Sequence, residues 1–462
     1  MVIVDHTSTV GEIAQRCGGK IRSGDSAMVI ETITTDSREL GRNNLFISLV
    51  GGKFDGHDFI RPLSEKRRIS SFLAMRDGYT DVAAGNDIAE IRCDDTLKAL
   101  GAIAAHHRER MAPAVIGITG TSGKTTTKEL VYALLSTAGN CLKNEKNYNN
   151  EIGVPVTLLG LKDSHEMAVI EMGMNHSGEL DRLSRIARPD TALITNVGEG
   201  HLEFLGTLEN VALAKSEILH GMKKGSTLLL NRDMNCLDLI ARKAAGLGLA
   251  VKTFGLSDTA DIYPDSYALY RDSVSVVFGG EELRPPLYGI HNVYNAVAAV
   301  AVAGEYGVSP ANMREALERL GSVEGRSQII DRGYLVINDS YNSNPLSLAY
   351  ALRSAREVFP EKRKIAVLSD MKELGDAAPL YHRESGRAVA ENDFEMLLVW
   401  GDMARFYAEG AAGAGLDRSN IKQFETKEDL AAVLKKIIDV HDVILVKGSR
   451  SMKMEDVVLG IT

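Results

Sequence analysis

The fold of this chain is decided by the stretch Ile116-Gly117-Ile118-Thr119-Gly120-Thr121-Ser122-Gly123-Lys124-Thr125-Thr126-Thr127. The apolar run 114–118 leads into it and predicts a buried parallel strand. A helical pattern leads out of it, with one face formed by Leu130, Ala133, Leu134 and Thr137. Strand, glycine-rich turn and helix together are typical of a phosphate-binding loop, because backbone N–H groups and the positive end of the helix dipole converge there.

The motif is a short form of the Walker loop, since Ile118 stands where the full pattern has its first glycine. What remains is the run Gly120, Thr121, Ser122, Gly123, Lys124, Thr125 and Thr126. In such a loop Lys124 would reach the β- and γ-phosphates, and the Thr125 hydroxyl would lie on magnesium. The alternative is a glycine turn with an incidental lysine. The strand and helix in register favour a site for a nucleoside triphosphate.

Composition excludes several classes of protein. The length of 462 residues predicts about three domains, and a net charge of −9 argues against nucleic acid as the main partner. The four cysteines lack disulfide or metal spacing, which fits a reducing compartment. The sequence shows neither a signal peptide nor an apolar stretch of membrane-spanning length, so we expect a cytoplasmic protein without a membrane span.

The chain predicts an α/β protein of three domains, 1–112, 113–322 and 323–462. The residue before Pro113 leaves the helical region, which favours the first boundary, and the glycines of 321–325 favour the second. In the middle domain, strands at 114–118, 167–172, 191–197 and 227–230 alternate with helices that include 177–187 and 207–220, so we expect a parallel sheet covered on both faces. Residues 262–287 predict an antiparallel insertion. The third domain predicts a doubly wound sheet, with strands at 334–337, 365–368, 396–400 and 443–446.

Two polar side chains follow neighbouring strands of the middle domain. Ligands of parallel sheets gather beyond the carboxyl ends of the strands, where Glu171 and His201 stand. Both side chains can reach magnesium near a triphosphate, although a helix-capping carboxylate and a structural histidine fit the residues equally well. Lys215 lies one short helix further on, and its periodicity alone indicates a solvated helical lysine.

Several stretches, in order along all three domains, resemble the Mur ligases, which build the peptide stem of peptidoglycan. They are the phosphate loop, 35–38, 54–59, 147–155, 171–180, 201–215 and 338–345. The resemblance implies a small N-terminal domain for the UDP substrate, a central P-loop domain for ATP and a C-terminal Rossmann-like domain. It implies an ATP-dependent amide ligase of peptidoglycan precursor synthesis, and hence of cell-wall biogenesis, cell shape and cell division.

Within the family, the chain resembles the member that adds D-alanyl-D-alanine to UDP-N-acetylmuramoyl-tripeptide through an acyl phosphate. It carries Asn150-Glu151-Ile152-Gly153 where sister ligases have a Thr-Thr-Pro-like stretch, and it lacks an Asn-Pro-Arg signature. An amide ligase for folate or a polypeptide and a nucleotide-dependent switch stay open as alternatives, as does the choice of lysine or diaminopimelate in the tripeptide. A monomer is expected.

The resemblance also implies roles for individual residues. Lys124, Glu171, His201 and Lys215 would be catalytic, with Lys215 carbamylated. Two magnesium ions would be served by Thr125, Glu171 and His201. Nucleotide contacts would come from Asn292 and Asn295 at adenine, Asp339 at ribose and Arg326 at the triphosphate. Substrate contacts would come from Ser37, Arg38, Asn149, Asn150, His176, Asn342 and Asn344.

Three features fit the resemblance less well. From the residues alone, Asn292 and Asn295 are typical of helix-cap or turn positions. The basic turn 447–450 has no assigned role. Ser369 stands where the family pattern has glycine, and a left-handed backbone there would strain a serine by about 1 kcal/mol.

Overall fold

The computed structural model describes residues 2–320 and 325–462. Along these residues the chain forms three six-stranded sheets and one three-stranded sheet, with helices packed against them. The predicted α/β class is therefore confirmed. The expected boundary at 322/323 falls within 321–324, outside the described residues, and the division into 1–112, 113–322 and 323–462 stays a prediction.

The first part of the chain is a small α/β unit. Its elements are β1 Val2–Thr9, α1 Val10–Arg16, β2 Lys20–Ser23, β3 Val29–Thr34, β4 Asn44–Ile47, α2 Ile60–Glu65, β5 Ser71–Ala74, α3 Thr80–Asn86, β6 Ala89–Arg92 and α4 Thr96–Met111. The strand order is β1-β3-β4-β5-β6-β2, with parallel pairs inside and antiparallel strands at both edges. Helix α1 begins at a capping box, in which Thr9 Oγ1 accepts the Glu12 N–H at 3.2 Å.

The middle part contains a parallel sheet of six strands. Its elements are β7 Ala114–Thr119, α5 Lys124–Leu135, β8 Cys141–Lys143, α6 Gly153–Leu159, β9 Met167–Glu171, α7 Glu179–Ala187, β10 Thr191–Ile194, α8 Leu202–Leu205, α9 Leu208–Ser216, β11 Thr227–Asn231, α10 Leu237–Gly246 and β12 Ala250–Phe254. The order is β12-β11-β10-β7-β9-β8. Val115 packs into one apolar cluster, and Ile116 and Ile118 pack into another on the opposite face. Burial on both faces explains why the predicted strands are continuous apolar runs.

One predicted helix is shorter than expected. The pattern over 207–220 gives α9, which ends at Ser216, and then a separate 3₁₀ turn, Glu217–Gly221. The Glu217 carboxylate accepts the Gly178 N–H at 2.8 Å and the Ser177 hydroxyl at 2.7 Å. It thus caps the N-terminus of α7, where a negative charge is stabilised by the helix dipole.

The predicted antiparallel insertion is confirmed. Strands β13 Ser266–Leu269, β14 Val274–Phe278 and β15 Glu281–Leu283 pair antiparallel. Two helices follow, α11 Ile290–Glu305 and α12 Pro310–Glu318. Helix α11 is buried on almost every side and packs against α5, so that the helix after the phosphate loop is held from behind.

The last part of the chain forms a doubly wound sheet. Its elements are β16 Gln328–Asp331, β17 Leu335–Asp339, α13 Pro345–Val358, β18 Lys364–Ser369, α14 Ala378–Glu391, β19 Met396–Trp400, α15 Ala404–Gly413, β20 Ile421–Phe424, α16 Lys427–Ile437, β21 Val443–Lys447 and α17 Glu455–Ile461. The order is β16-β17-β21-β18-β19-β20, parallel except for β16.

The strain expected at Ser369 is absent. Ser369 is the last residue of β18 and does not have a positive φ. Its hydroxyl donates to the Trp400 carbonyl on the neighbouring strand at 2.7 Å. A serine is therefore accommodated here by a hydrogen bond, and the condition for strain, a left-handed backbone, is not met. Among the described residues, we find no helix with the length and apolar character needed to cross a membrane.

Candidate active site

The phosphate loop lies between the carboxyl end of β7 and the first turn of α5. Gly123 has φ +82°, and a Cβ atom there would lie 2.5 Å from Asn295 Oδ1. A Cβ atom on Gly120 would lie 1.9 Å from Thr195 Oγ1. Both glycines are therefore required by close approach of neighbouring groups, as the motif predicts.

Residues after β10 hold the loop in shape. Thr195 Oγ1 donates to the Ser122 carbonyl at 2.6 Å, and Asn196 Oδ1 accepts the Ser122 N–H at 2.9 Å. The Lys124 ammonium donates to the Gly120 carbonyl at 2.8 Å, and burial lowers the Lys124 pKa. The loop is thus preorganised, and its lysine lies at the point where the backbone curls.

Glu171 is fixed at the end of β9 by two asparagines. Asn144 Oδ1 accepts the Glu171 N–H at 2.9 Å, and Asn144 Nδ2 donates to the Glu171 carbonyl at 2.9 Å. Asn149 Nδ2 donates to Glu171 Oε1 at 2.7 Å. The second carboxylate oxygen, Oε2, is buried and has no hydrogen-bond partner among the described residues. A buried carboxylate with one such oxygen is suited to receive a cation.

His201 precedes α8 and lies near a carboxylate from the last sheet. Its Nδ1 is 2.6 Å from Glu373 Oε2, close enough for an ion pair although not aligned as a hydrogen bond. Burial lowers the pKa of His201, while the nearby Glu373 opposes that shift. The interaction with His201 lowers the pKa of Glu373.

Lys215 is not a solvated lysine, although its helical periodicity indicated one. Its side chain in α9 is 1% exposed, and its ammonium makes no hydrogen bond or ion pair with any residue that the structure describes. Burial lowers the pKa of Lys215 well below its ordinary value, and the charge of Lys124 adds to the effect. The interpretation from periodicity was therefore wrong, because tertiary packing covers this face of α9.

Residues of the last sheet complete the cleft. Arg326 Nη2 donates to Thr125 Oγ1 at 3.0 Å, and the Arg326 guanidinium lies 4.1 Å from the centre of the Tyr341 ring. Asn344 Nδ2 donates to Ser122 Oγ at 3.0 Å. The loop of the middle sheet, Arg326 just before β16 and the residues at and after the end of β17 therefore line one cavity of about 560 Å³.

Asp339 lies at the end of β17 within this cavity. Its carboxylate pairs with the Lys447 ammonium and accepts the Ser327 N–H at 3.0 Å. Although burial opposes ionisation, Lys447 holds the pKa of Asp339 below its ordinary value. Asp339 is thus a fixed anionic acceptor beside the phosphate loop.

The structure brings most of the predicted site residues to this cleft. The lining includes Thr121, Ser122, Gly123, Lys124, Thr125, Thr126, Asn149, Glu171, His201, Asn295, Arg326, Asp339, Asn342 and Asn344. Other predicted residues lie outside the lining, namely Ser37, Arg38, Gly120, Asn150, His176, Lys215 and Asn292.

Several residues outside the lining have local partners. Asn150 Oδ1 accepts the N–H of Gly153, the first residue of α6, at 2.8 Å. His176 Nδ1 lies 3.1 Å from Glu179. The Arg38 guanidinium pairs with Asp36 at 2.6 Å.

Both asparagines of α11 make structural hydrogen bonds. Asn292 Nδ2 donates to the Tyr288 carbonyl at 2.8 Å, and Asn292 Oδ1 accepts from Asn295 Nδ2 at 2.9 Å. Asn295 Oδ1 accepts from the Thr127 hydroxyl at 3.1 Å. Asn295 also lines the cleft, whereas Asn292 is not part of the lining.

Comparison with known proteins decides the family. Residues 118–303 match the Mur ligase middle domain, and residues 325–450 match the Mur ligase, glutamate ligase domain. The chain belongs to the Mur ligase family. Its relatives include the UDP-N-acetylmuramoyl-tripeptide--D-alanyl-D-alanine ligases of Bacillus subtilis (strain 168), 34% identical with 97% of each chain covered, and of Escherichia coli (strain K12), 33% identical with 98% of each covered.

Solved Mur ligases share the whole architecture. MurF from Acinetobacter baumannii superposes with a TM-score of 0.88 at 30% identity, covering 100% of this chain and 99% of that one. MurF ligase from Thermotoga maritima in complex with ADP superposes with a TM-score of 0.80 at 26% identity, covering 93% of this chain and 96% of that one. The three-domain Mur ligase architecture expected from the sequence is therefore confirmed.

In this Mur ligase, sequence reasoning missed Glu373 and left Lys447, in the basic turn 447–450, without a role. Lys447 ends β21 and pairs with Asp339, and Glu373 follows β18 by four residues. The strand-end rule that selected Glu171 also applies to Lys447. No local signal identified Glu373, because its partner His201 is distant in sequence, between β10 and α8.

The donors present fit magnesium bound mainly through nucleotide phosphates. Within the described residues there is no group of three or more His, Cys, Asp or Glu side chains that could hold a metal ion. Magnesium is commonly held by one or two protein groups together with substrate phosphates and water. Thr125, Glu171 and His201 form such a partial set, and the unpartnered Glu171 Oε2 is its clearest sign.

Proposed function

We propose that this Mur ligase uses ATP to join D-alanyl-D-alanine to UDP-N-acetylmuramoyl-tripeptide in peptidoglycan precursor synthesis. The proposal is carried by the cleft in which the phosphate loop meets Arg326 and Asp339. It is supported by two relatives that are named for this reaction and that match nearly the full length of the chain. We place the reaction in the cytoplasm and expect a monomer to perform it.

The chemistry requires an activated acid. A carboxylate is a poor electrophile, so the terminal phosphoryl group of ATP is transferred to the tripeptide carboxylate and ADP leaves. The dipeptide amine then attacks the acyl carbon, the C–N bond forms, and phosphate and a proton are released. Such transfers depend on positioning and charge neutralisation and need no covalent nucleophile on the protein.

The predicted site residues, inside and outside the cleft lining, have the following tasks in this scheme. The loop N–H groups and Lys124 hold the triphosphate, and Arg326 holds it from the opposite side. Asp339 would contact the ribose, with Asn295, supported by Asn292, at the adenine. Ser37 and Arg38 would bind the uridine end of the substrate, and the remaining substrate contacts would be Asn149, Asn150, His176, Asn342 and Asn344.

Two magnesium ions would be held by Thr125, Glu171 and His201, and when bound they neutralise charge on the phosphoryl group in transfer. We further propose that Lys215 is carbamylated. An ammonium beside cations is repelled, whereas a carbamate carries a negative charge like a carboxylate. The burial of Lys215 and its low pKa support this assignment.

The experiment is a matrix of acids and amine acceptors, scored by phosphate release and product mass. We expect ADP release over many turnovers only when the nucleotide tripeptide and D-alanyl-D-alanine are both present, since without the dipeptide amine the acyl phosphate is not consumed. Equal ADP release with D-glutamate, diaminopimelate or folate substrates would identify a different amide ligase. ADP release without any acid would indicate a nucleotide-dependent switch. Tripeptides ending in lysine and in diaminopimelate, compared side by side, reveal which one is preferred.

A further inference from the structure

The segment after β18 contacts the turn before α8 at several points. Glu373 Oε2 lies 2.6 Å from His201 Nδ1, and the Glu373 carbonyl accepts the Glu203 N–H at 3.0 Å. Two residues later, a Cβ atom on Gly375 would lie 3.0 Å from the Glu203 Cα. A carboxylate, a backbone hydrogen bond and a glycine thus fit this segment closely onto the turn that carries His201.

The backbone on both sides of this contact is left-handed. His201 has φ +60° and Glu373 has φ +64°, a conformation that side chains other than glycine adopt infrequently. Gly375 has φ +56°. Such conformations persist where the surrounding structure holds them, and they concentrate at functional sites. The contact therefore orients two side chains that local sequence preference would not place there.

We propose that Glu373 is a positioning residue that acts through His201. With Nδ1 facing the Glu373 carboxylate, Nε2 is the ring nitrogen left for the phosphate and metal side of the cleft. A carboxylate behind a ligating histidine fixes its ring and tautomer. Because Glu373 belongs to the last sheet, His201 is correctly oriented only when that sheet has closed on the middle one. This inference rests on the proposed function, in which His201 faces magnesium.

The first measurement is metal affinity, which does not depend on turnover. Binding of Mn²⁺, as a stand-in for Mg²⁺, is followed by electron paramagnetic resonance with a non-hydrolysable ATP analogue present. We expect Glu373→Ala to raise the Mn²⁺ Kd about 10–100-fold, as loss of an outer-shell partner does. Glu373→Gln should recover most of the affinity, because its amide oxygen can take the place of Glu373 Oε2 beside Nδ1 at the same reach. Asp376→Asn, which removes an exposed carboxylate from the same segment, is the matched control and should change nothing.

The second measurement is a double-mutant cycle with His201→Ala. If Glu373 acts through His201, adding Glu373→Ala to His201→Ala causes no further loss of Mn²⁺ affinity or of kcat. If Glu373→Ala lowers Mn²⁺ affinity by the same factor with His201 present and with His201→Ala, its role is structural and independent of His201, and the inference is overturned. A Glu373→Gln variant that binds Mn²⁺ no better than Glu373→Ala would also overturn it. If His201→Ala itself leaves Mn²⁺ binding unchanged, the metal assignment of His201 is wrong and the inference fails with it. Failure of dipeptide ligation alone would overturn the proposed function and leave the Glu373 result standing.

Discussion

At the scale of single residues, burial changes what a side chain can do. Lys215 and Lys124 are both cationic at neutral pH in water, yet they lie close together in the middle domain, and Lys215 is almost fully covered. Desolvation and like charge both favour the neutral amine. A neutral amine is the form that reacts with carbon dioxide, so the proposed carbamate has a physical origin in the packing of α9.

We therefore expect Lys215→Ala and Lys215→Arg to abolish ligation while the fold is retained, since neither side chain can form a carbamate. Lys215→Glu tests whether a carboxylate on a shorter side chain than the carbamate keeps a trace of activity. Ligation by the parent should fall in buffer free of carbon dioxide and return with bicarbonate. Lys223→Arg, at an exposed position, is the control. Near-normal turnover of Lys215→Arg would contradict the carbamate.

At the scale of elements, the helix behind the phosphate loop depends on its packing against α11. Leu134 in α5 is fully buried in the same apolar cluster as Val293 and Val297 of α11. We expect Leu134→Ala to lower the free energy of unfolding by about 2–5 kcal/mol, through lost burial and a residual cavity. Denaturant unfolding measures this change. Leu247→Ala, at a side chain 44% exposed, should alter stability by no more than about 0.5 kcal/mol.

The sequence predicted elements well where both faces of a strand are buried. Strands β7, β9, β10 and β18 stood out as apolar runs because parallel strands covered on both sides admit few polar residues. Short edge strands such as β2 and β20 were missed, since their partly exposed residues carry no such run. The break after α9 was missed because it depends on Glu217 capping a different helix.

At the scale of the whole molecule, the cleft joins residues that are far apart in sequence. Arg326 bonds to Thr125, and Asn344 bonds to Ser122, across two different sheets. Motifs and the family resemblance selected each of these residues, but the packing of one sheet against another is set by three-dimensional contacts that no local pattern contains. For this reason Glu373 escaped prediction while the phosphate loop did not.

Closure of the cleft can be followed in solution. ATP would contact the middle sheet through Lys124 and the last sheet through Arg326 and Asp339, so an ATP analogue together with the nucleotide tripeptide should compact the molecule, because ligands at a split site favour closure. Small-angle X-ray scattering with and without these ligands measures the radius of gyration. An unchanged radius at demonstrated ligand occupancy would argue against ligand-driven closure.

The Arg326 guanidinium, which donates a hydrogen bond to Thr125, belongs to the part of the chain that forms the last sheet. The loop that carries Thr125 belongs to the middle sheet. A nucleotide taken up by the loop alone would therefore meet only half of the groups that stabilise phosphoryl transfer. On the proposed function, this division would protect ATP from idle hydrolysis, because the groups that make the γ-phosphoryl reactive would be assembled only once the molecule has closed and displaced water from the cleft.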